Sequence, residues 1–250
     1  MPTDALLDRF LNELAPLKPV AVWAHGSLAG GDYQEGRSDL DLIAILDHPL
    51  KPSTARQLVA LHRGLRTDPL ATHLHCSYLA PGTQDAPNQR HLTWANDHVT
   101  RRPVTPVTRR ELHDFGRVLQ GGSPKELLPA VTDQELGEFV VRDQREFWRP
   151  AVDKAHLWRQ DIWVDLGLTT FARATVTRRE GRLITKREAL DVLPGLGAPT
   201  EVVEDVVRRR YDDPVPSSPR SGEGDWPDRR AKLTRAYLGP AIDELVTRYG

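Results

Sequence analysis

The chain has 250 residues, 39% of them hydrophobic, and its 34 basic and 35 acidic side chains leave a formal net charge of −1. That is enough apolar material for one large domain or two modest ones, and the near-zero charge gives no overall footprint for nucleic acid or an anionic membrane. No run approaches 18 consecutive apolar residues, Asp4, Asp8 and Glu13 stand where a secretory signal would be basic and then apolar, and the single Cys76 excludes an internal disulfide or cysteine-based zinc cluster, so the reading is a cytoplasmic protein.

Leu6, Leu7, Phe10, Leu11 and Leu14 recur at helical spacing until Pro16 and Pro19 stop the pattern. A short apolar run from Val20 to Ala24 ends at His25-Gly26-Ser27, and Leu40, Leu42, Ala44 and Leu46 alternate with Asp39, Asp41, Ile43 and Ile45, which predicts two strands around a glycine-rich turn. A helix over 53–66 and a strand from Thr72 to Leu79 complete a compact α/β arrangement with a mixed sheet. Residues 87–106 hold a cluster of breakers, within which Leu92, Trp94 and Val99 suggest an edge strand. From residue 107 the pattern is helical throughout, with helices expected at 108–120, 132–147, 151–178, 185–193, 199–210 and 228–248, and a proline- and glycine-rich loop at 211–228. The expected organisation is an α/β domain over 1–106 and an all-α bundle over 107–250.

Asp39 and Asp41 are two apart on a predicted strand, so both carboxylates leave one face of the sheet. Like charges that close call for a cation, and paired carboxylates match the oxygen ligation of Mg²⁺. The plain alternative is two solvated aspartates on the polar face of an amphipathic strand. Upstream, Gly26 permits close backbone approach, while turn amides and the Ser27 hydroxyl can hold phosphate oxygens. Ser38 precedes the aspartates, eleven residues after Ser27, and is counted with the phosphate-binding set.

The segment His25-Gly-Ser-Leu-Ala-Gly-Gly-Asp-Tyr-Gln-Glu-Gly-Arg-Ser-Asp-Leu-Asp-Leu-Ile43 resembles the active-site signature of the polymerase-β-like nucleotidyltransferase superfamily. The helical tail, with Leu166-Gly-Leu-Thr-Thr-Phe171 and Gly181-Arg-Leu-Ile-Thr-Lys186-Arg-Glu-Ala-Leu190, is similar to the carboxy-terminal domain of the adenylyltransferases that modify streptomycin and spectinomycin. This resemblance implies a nucleotidyltransferase domain over 1–106 and a helical substrate-binding domain over 107–250. It also implies transfer of AMP from ATP to a hydroxyl of an aminoglycoside-type antibiotic, with Mg²⁺ on Asp39 and Asp41 and an antibiotic-resistance role. Lys186 stands where the family places an ATP-contacting lysine; the alternative is a solvated lysine in a first helical turn.

The family uses a third carboxylate on the strand that here reads Thr72-His73-Leu74-His75-Cys76-Ser77-Tyr78, which has none. A histidine falls about where it would be, and His75, with His73 equally eligible, is the candidate base. Glu35, Asp85 or Asp143 could substitute, or the protein could be a nucleotide-binding pseudoenzyme or regulator. A toxin-type transferase acting on protein or tRNA is a further alternative, although the near-neutral charge disfavours tRNA. Trp148, Asp153, Trp158, Asp161, Trp163 and Asp165 cluster within 18 residues. On one helix Asp161 and Asp165 would share a face near Trp158 and could line a pocket for a cationic aminoglycoside; equally, the tryptophans could be core.

Overall fold

The computed structural model describes residues 2–83, 89–212 and 225–250, in two compact units, Met1–Val131 and Thr132–Gly250. Among the described residues no helix is long and apolar enough to cross a membrane.

In the first unit α1 (Pro2–Leu14) buries Leu6, Leu7, Phe10 and Leu14, with Leu11 partly buried beside them, the stripe the helical spacing predicts. The chain then forms β1 (Pro19–Ala24), the short α2 (Gly26–Gly30), β2 (Leu40–Leu46), α3 (Pro52–Leu65) and β3 (Leu74–Leu79). A hairpin of β4 (Arg90–Ala95) and β5 (His98–Pro103) follows, then α4 (Pro106–Phe115), β6 (Arg117–Gly121) and α5 (Pro124–Leu127). The strands form one sheet in the order β5-β4-β3-β2-β1-β6. Only β2 and β3 pair in parallel, as the intervening helix α3 allows; the other neighbours are antiparallel.

Both sheet faces are covered. Leu42, Ala44, Leu46, Cys76 and Tyr78 belong to one apolar cluster with residues of α1 and α3. Trp23, Ile43 and Ile45 belong to a second with Leu112 of α4 and Leu128. The two aspartates therefore begin the strand face that continues into Ile43 and Ile45. The hairpin turns on Asn96 and Asp97, both at positive φ (48° and 66°), between paired Ala95 and His98. Two consecutive left-handed residues make this a type I′ turn, whose twist matches the flanking strands.

The boundary between the units falls at 131/132 rather than 106/107. The helix expected over 108–120 stops at Phe115, and Arg117–Gly121 returns to the sheet against β1. Its exposed residues gave little apolar alternation to mark a strand. The breaker-rich stretch before it contains a full two-stranded hairpin, not a single edge strand.

Among the described residues the elements of the second unit are helical: α6 (Asp133–Asp143), one π-helical turn at Gln144–Trp148, α7 (Arg149–Val152), α8 (Asp161–Glu180), α9 (Lys186–Val192), α10 (Thr200–Tyr211) and α11 (Trp226–Tyr249). The expected helix 151–178 is broken between Val152 and Asp161, because the chain turns there to drive Trp158 into the core, where its Nε1 donates to the Ala151 carbonyl at 2.8 Å. Gly167 lies under that ring: a Cβ there would come within 2.6 Å of the indole. The Leu166-Gly-Leu168 motif thus has a packing reason. Of the loop expected at 211–228, residues 213–224 lie outside the described residues.

Candidate active site

The site starts where β1 ends. The His25 amide donates to the Asp41 carbonyl at 2.9 Å, fixing the end of β1 against the start of β2. Gly26 then takes φ +62°, a left-handed backbone that favours glycine, and α2 begins with no side chain capping its start. A Cβ at Gly26 would stand 2.8 Å from Asp41 Oδ2, so the carboxylate lies directly against the turn. A Gly26→Ala variant meets both the left-handed strain, about 1–2 kcal/mol, and that clash. It is expected to stay folded but lose most of its ATP affinity in a calorimetric titration; wild-type affinity would show that the turn does not touch nucleotide.

Asp39 immediately precedes β2 and Asp41 lies within it, and the register sets Asp41 opposite His75 of β3. His75 Nδ1 lies 3.8 Å from Asp39 Oδ2 and 3.6 Å from Asp41 Oδ1, while His73 Nδ1 is 3.6 Å from Asp39 Oδ1. Both carboxylates therefore converge on one imidazole, which stands where the resemblance called for a third acid.

That imidazole is poorly placed to be a base. The backbone amide of Asn96, in the hairpin turn, donates to His75 Nε2 at 3.2 Å. Nε2 therefore presents its lone pair to the amide, and the ring's own N–H sits on Nδ1, facing the aspartates. Neither nitrogen has a lone pair to offer a substrate hydroxyl. The geometry suits a group that orients the carboxylates.

Among the described residues no group of three or more His, Cys, Asp or Glu is gathered to hold a metal ion. Asp39 and Asp41 nonetheless fit Mg²⁺ by the chemistry of their donors, since that ion is commonly held by one or two carboxylates and completes its shell with water and substrate phosphates.

Sequence reasoning missed a partner of this site. Glu111, buried on α4, accepts from or shares a proton with His25 Nδ1 at 3.1 Å, across 86 residues of sequence. Burial opposes a charge on His25, but the Glu111 hydrogen bond and the charges of Asp41 and Glu111 outweigh it and hold its pKa above the ordinary value. His25 stood in the signature without a role. Its partner comes from a helix whose place over the sheet no local pattern reveals.

The other named candidates separate. Ser38 is buried, and its hydroxyl accepts from the Gln34 amide at 3.1 Å, so it closes the loop leading into Asp39. Glu35 accepts from the Thr3 hydroxyl at 2.7 Å at the start of α1. Asp143 ends α6 in the second unit, and Asp85 lies outside the described residues. Lys186 opens α9 in the second unit behind a Thr185/Glu188 capping box. Gly181 ends α8 at φ 70°, and Arg173 and Thr177 bond the carbonyls of Ile184 and Arg182, which pins the turn that presents the lysine.

Of the two readings of the cluster at Trp158, Asp161 and Asp165, the structure favours packing in the core over a pocket for a cation. Trp158 is fully buried beside Trp148 and Trp163. Asp165 receives two hydrogen bonds from Arg209, at 2.7 and 3.0 Å, and Asp161 pairs with Arg230. These acids already have their counter-charges, supplied from α10 and α11.

Residues 7–75 match the family described as the nucleotidyltransferase domain, and the first unit carries such a domain, of the polymerase-β-like kind. Among solved structures, the chain is similar to "Crystal structure of spectinomycin adenyltransferase AAD(9) from Enterococcus faecialis with ATP and spectinomycin". The likeness has a TM-score of 0.70 and 14% identity, and covers 96% of this chain and 97% of that one. It shows a shared fold, a nucleotidyltransferase sheet followed by a helical domain. No curated protein matches the chain.

Proposed function

We propose that the protein transfers AMP from ATP to a hydroxyl of a small molecule, with Mg²⁺ held by Asp39 and Asp41 and the nucleotide phosphates received by the Gly26-Ser27 turn. The observation that carries the reading is the convergence of Asp39 and Asp41 beside that turn: His75 Nδ1 lies 3.8 and 3.6 Å from the two carboxylates, and Gly26 packs against Asp41. The nucleotidyltransferase domain match supports it.

The bound ion would neutralise charge on the phosphates. The Gly26 turn admits the phosphates to within contact of Asp41, because it lacks the side chain that would block them. His75 turns its Nδ1–H toward the two carboxylates at 3.6 and 3.8 Å, beyond hydrogen-bond length, and so offers them an electrostatic partner rather than a clamp. The acceptor oxygen bonds to the α-phosphorus, the bond from that phosphorus to its bridging oxygen breaks, pyrophosphate leaves with the electron pair, and the hydroxyl proton is released. Phosphoryl-type transfer passes through a loose transition state in which positioning and charge neutralisation dominate, so a strong base on β3 is not a requirement.

Incubation with α-labelled ATP, Mg²⁺ and a panel of hydroxylated compounds tests the reading. Spectinomycin and streptomycin head the panel because a spectinomycin adenyltransferase shares the fold. The expected result is an acceptor carrying one AMP, with pyrophosphate released in equal amount. The lack of an acid on β3 favours a second reading, nucleotide binding without transfer; tight ATP binding with no labelled acceptor in the whole panel would establish it.

A further inference from the structure

We infer that the acceptor is a small hydroxylated compound bearing an oxyanion, carboxylate or phosphate, which docks on Arg102 in a cavity beside Asp41; the inference rests on the transfer reading and deepens it. The first unit contains a cavity of about 280 Å³ whose walls include His25, Asp41, His75, Ser77, Thr93 and Arg102. That is at the small end of small-molecule sites. It has room for one sugar-sized ring against its walls.

The charges on its walls favour the same conclusion. Asp41 is the one carboxylate among its described lining residues, and the transfer reading commits Asp41 to Mg²⁺. A polycation would find no counter-charge left. Arg102, on β5, is exposed, and its guanidinium makes no hydrogen bond or ion pair with the described residues. A guanidinium on a cavity wall with no counter-charge among the described residues offers the planar fork that carboxylate and phosphate oxygens match.

The floor is set for hydroxyls. Thr93 Oγ1 donates to the His91 carbonyl at 3.2 Å and lies 2.9 Å from Ser77 Oγ. With the Thr93 proton so used, Ser77 donates to Thr93, and its lone pairs remain to accept from a ligand hydroxyl. An acceptor anchored by its anion on Arg102 would place hydroxyls on Ser77 and beside Asp41. There its oxygen bonds the α-phosphorus of ATP while pyrophosphate departs with the electron pair and the hydroxyl proton passes to water.

The test uses the full chain without nucleotide and three probes on one scaffold: glucose 6-phosphate, glucose and glucosamine, with streptomycin as the polycation. Calorimetric titration is expected to show glucose 6-phosphate binding at least about tenfold tighter than the other three, the scale of a hydrogen bond to a charged group. Arg102→Ala should erase that preference, Arg102→Lys should keep most of it, and Arg102→Glu should turn it toward glucosamine. Tightest binding of glucosamine or streptomycin, a phosphate preference that survives Arg102→Ala, or no binding of any probe would each overturn the inference. So would an equal loss of ATP affinity in Arg102→Ala, which would assign Arg102 to the triphosphate. Because nucleotide is absent from the probe titrations, their failure leaves the transfer reading standing, whereas missing label from α-labelled ATP removes the transfer reading and the acceptor role with it, and the titrations then report anion binding at Arg102 alone.

Discussion

An Asp41→Asn variant is expected to lose nucleotidyl transfer by about a hundredfold to a thousandfold, the scale of removing a group that stabilises charge in a transition state. Asparagine preserves the shape of the side chain, and the backbone bond from the His25 amide to the Asp41 carbonyl is untouched, so the turn keeps its form. What disappears is one of the two anionic oxygen donors that Mg²⁺ requires. The same change relieves repulsion with Asp39 and gives up attraction to His25, two opposed effects, so the melting temperature should move little. Label from α-labelled ATP and the melting curve, measured together, check the claim: full turnover would remove Asp41 from the metal site, and a collapsed melting temperature would make its role structural.

The largest stability effect is expected in the second unit, at Asp205 of α10. Its carboxylate is buried and accepts from Arg230 Nη1 and Arg209 Nε, each at 3.0 Å, and pairs also with Arg208. The Arg230 side chain is only 4% exposed. Asp205→Ala leaves that guanidinium with only the exposed Asp161 as counter-charge and removes the shared partner of Arg209 and Arg208, which costs about 3–5 kcal/mol. Trp148, Trp158 and Trp163 lie together in this unit and report its denaturant unfolding by fluorescence; a loss under about 1 kcal/mol, the range of exposed pairs, would show the network to be dispensable. The pH dependence has a definite sign. Burial works to raise the Asp205 carboxyl, but the charges and hydrogen bonds of Arg209 and Arg230 prevail and hold it below its ordinary value of 3.8. Its stabilisation is therefore complete above 3.8 and fades as pH falls through the lower folded value. Wild type should lose stability in that acid window, and the variant should show a flatter curve.

The parts of the site that neighbour each other in sequence were legible there. The Gly26-Ser27 turn, the Asp39/Asp41 spacing and a histidine on the adjoining strand follow from glycine's conformational freedom and the two-residue period of a strand, and the fold class follows from the change of periodicity. Long-range pairing was not legible. Asp161 and Asp165 were read as an acidic face at helical spacing, yet their counter-charges come from Arg230 and Arg209, 69 and 44 residues away. Glu111 offered no local signal, and Arg117–Gly121 reads as the end of a helix until β1 is seen to need a partner. His75 shows a finer limit: spacing could place it near the aspartates, but the direction of its proton depends on an amide in a different hairpin.

That hairpin ties the site to the protein's exterior. The turn that aims the Asn96 amide at His75 is itself held from outside, where Arg66, beyond the end of α3, bonds the Asp97 carboxylate at 2.8 Å and its carbonyl at 3.1 Å. Both side chains are substantially solvated. Residues that never approach a substrate therefore have a say in which way the histidine faces. Among descendants of this sequence, loop length and charge at 96–97 are not free to drift as surface positions ordinarily do, and a lineage could retune the centre by altering a turn that looks, from its solvent exposure, to be inconsequential.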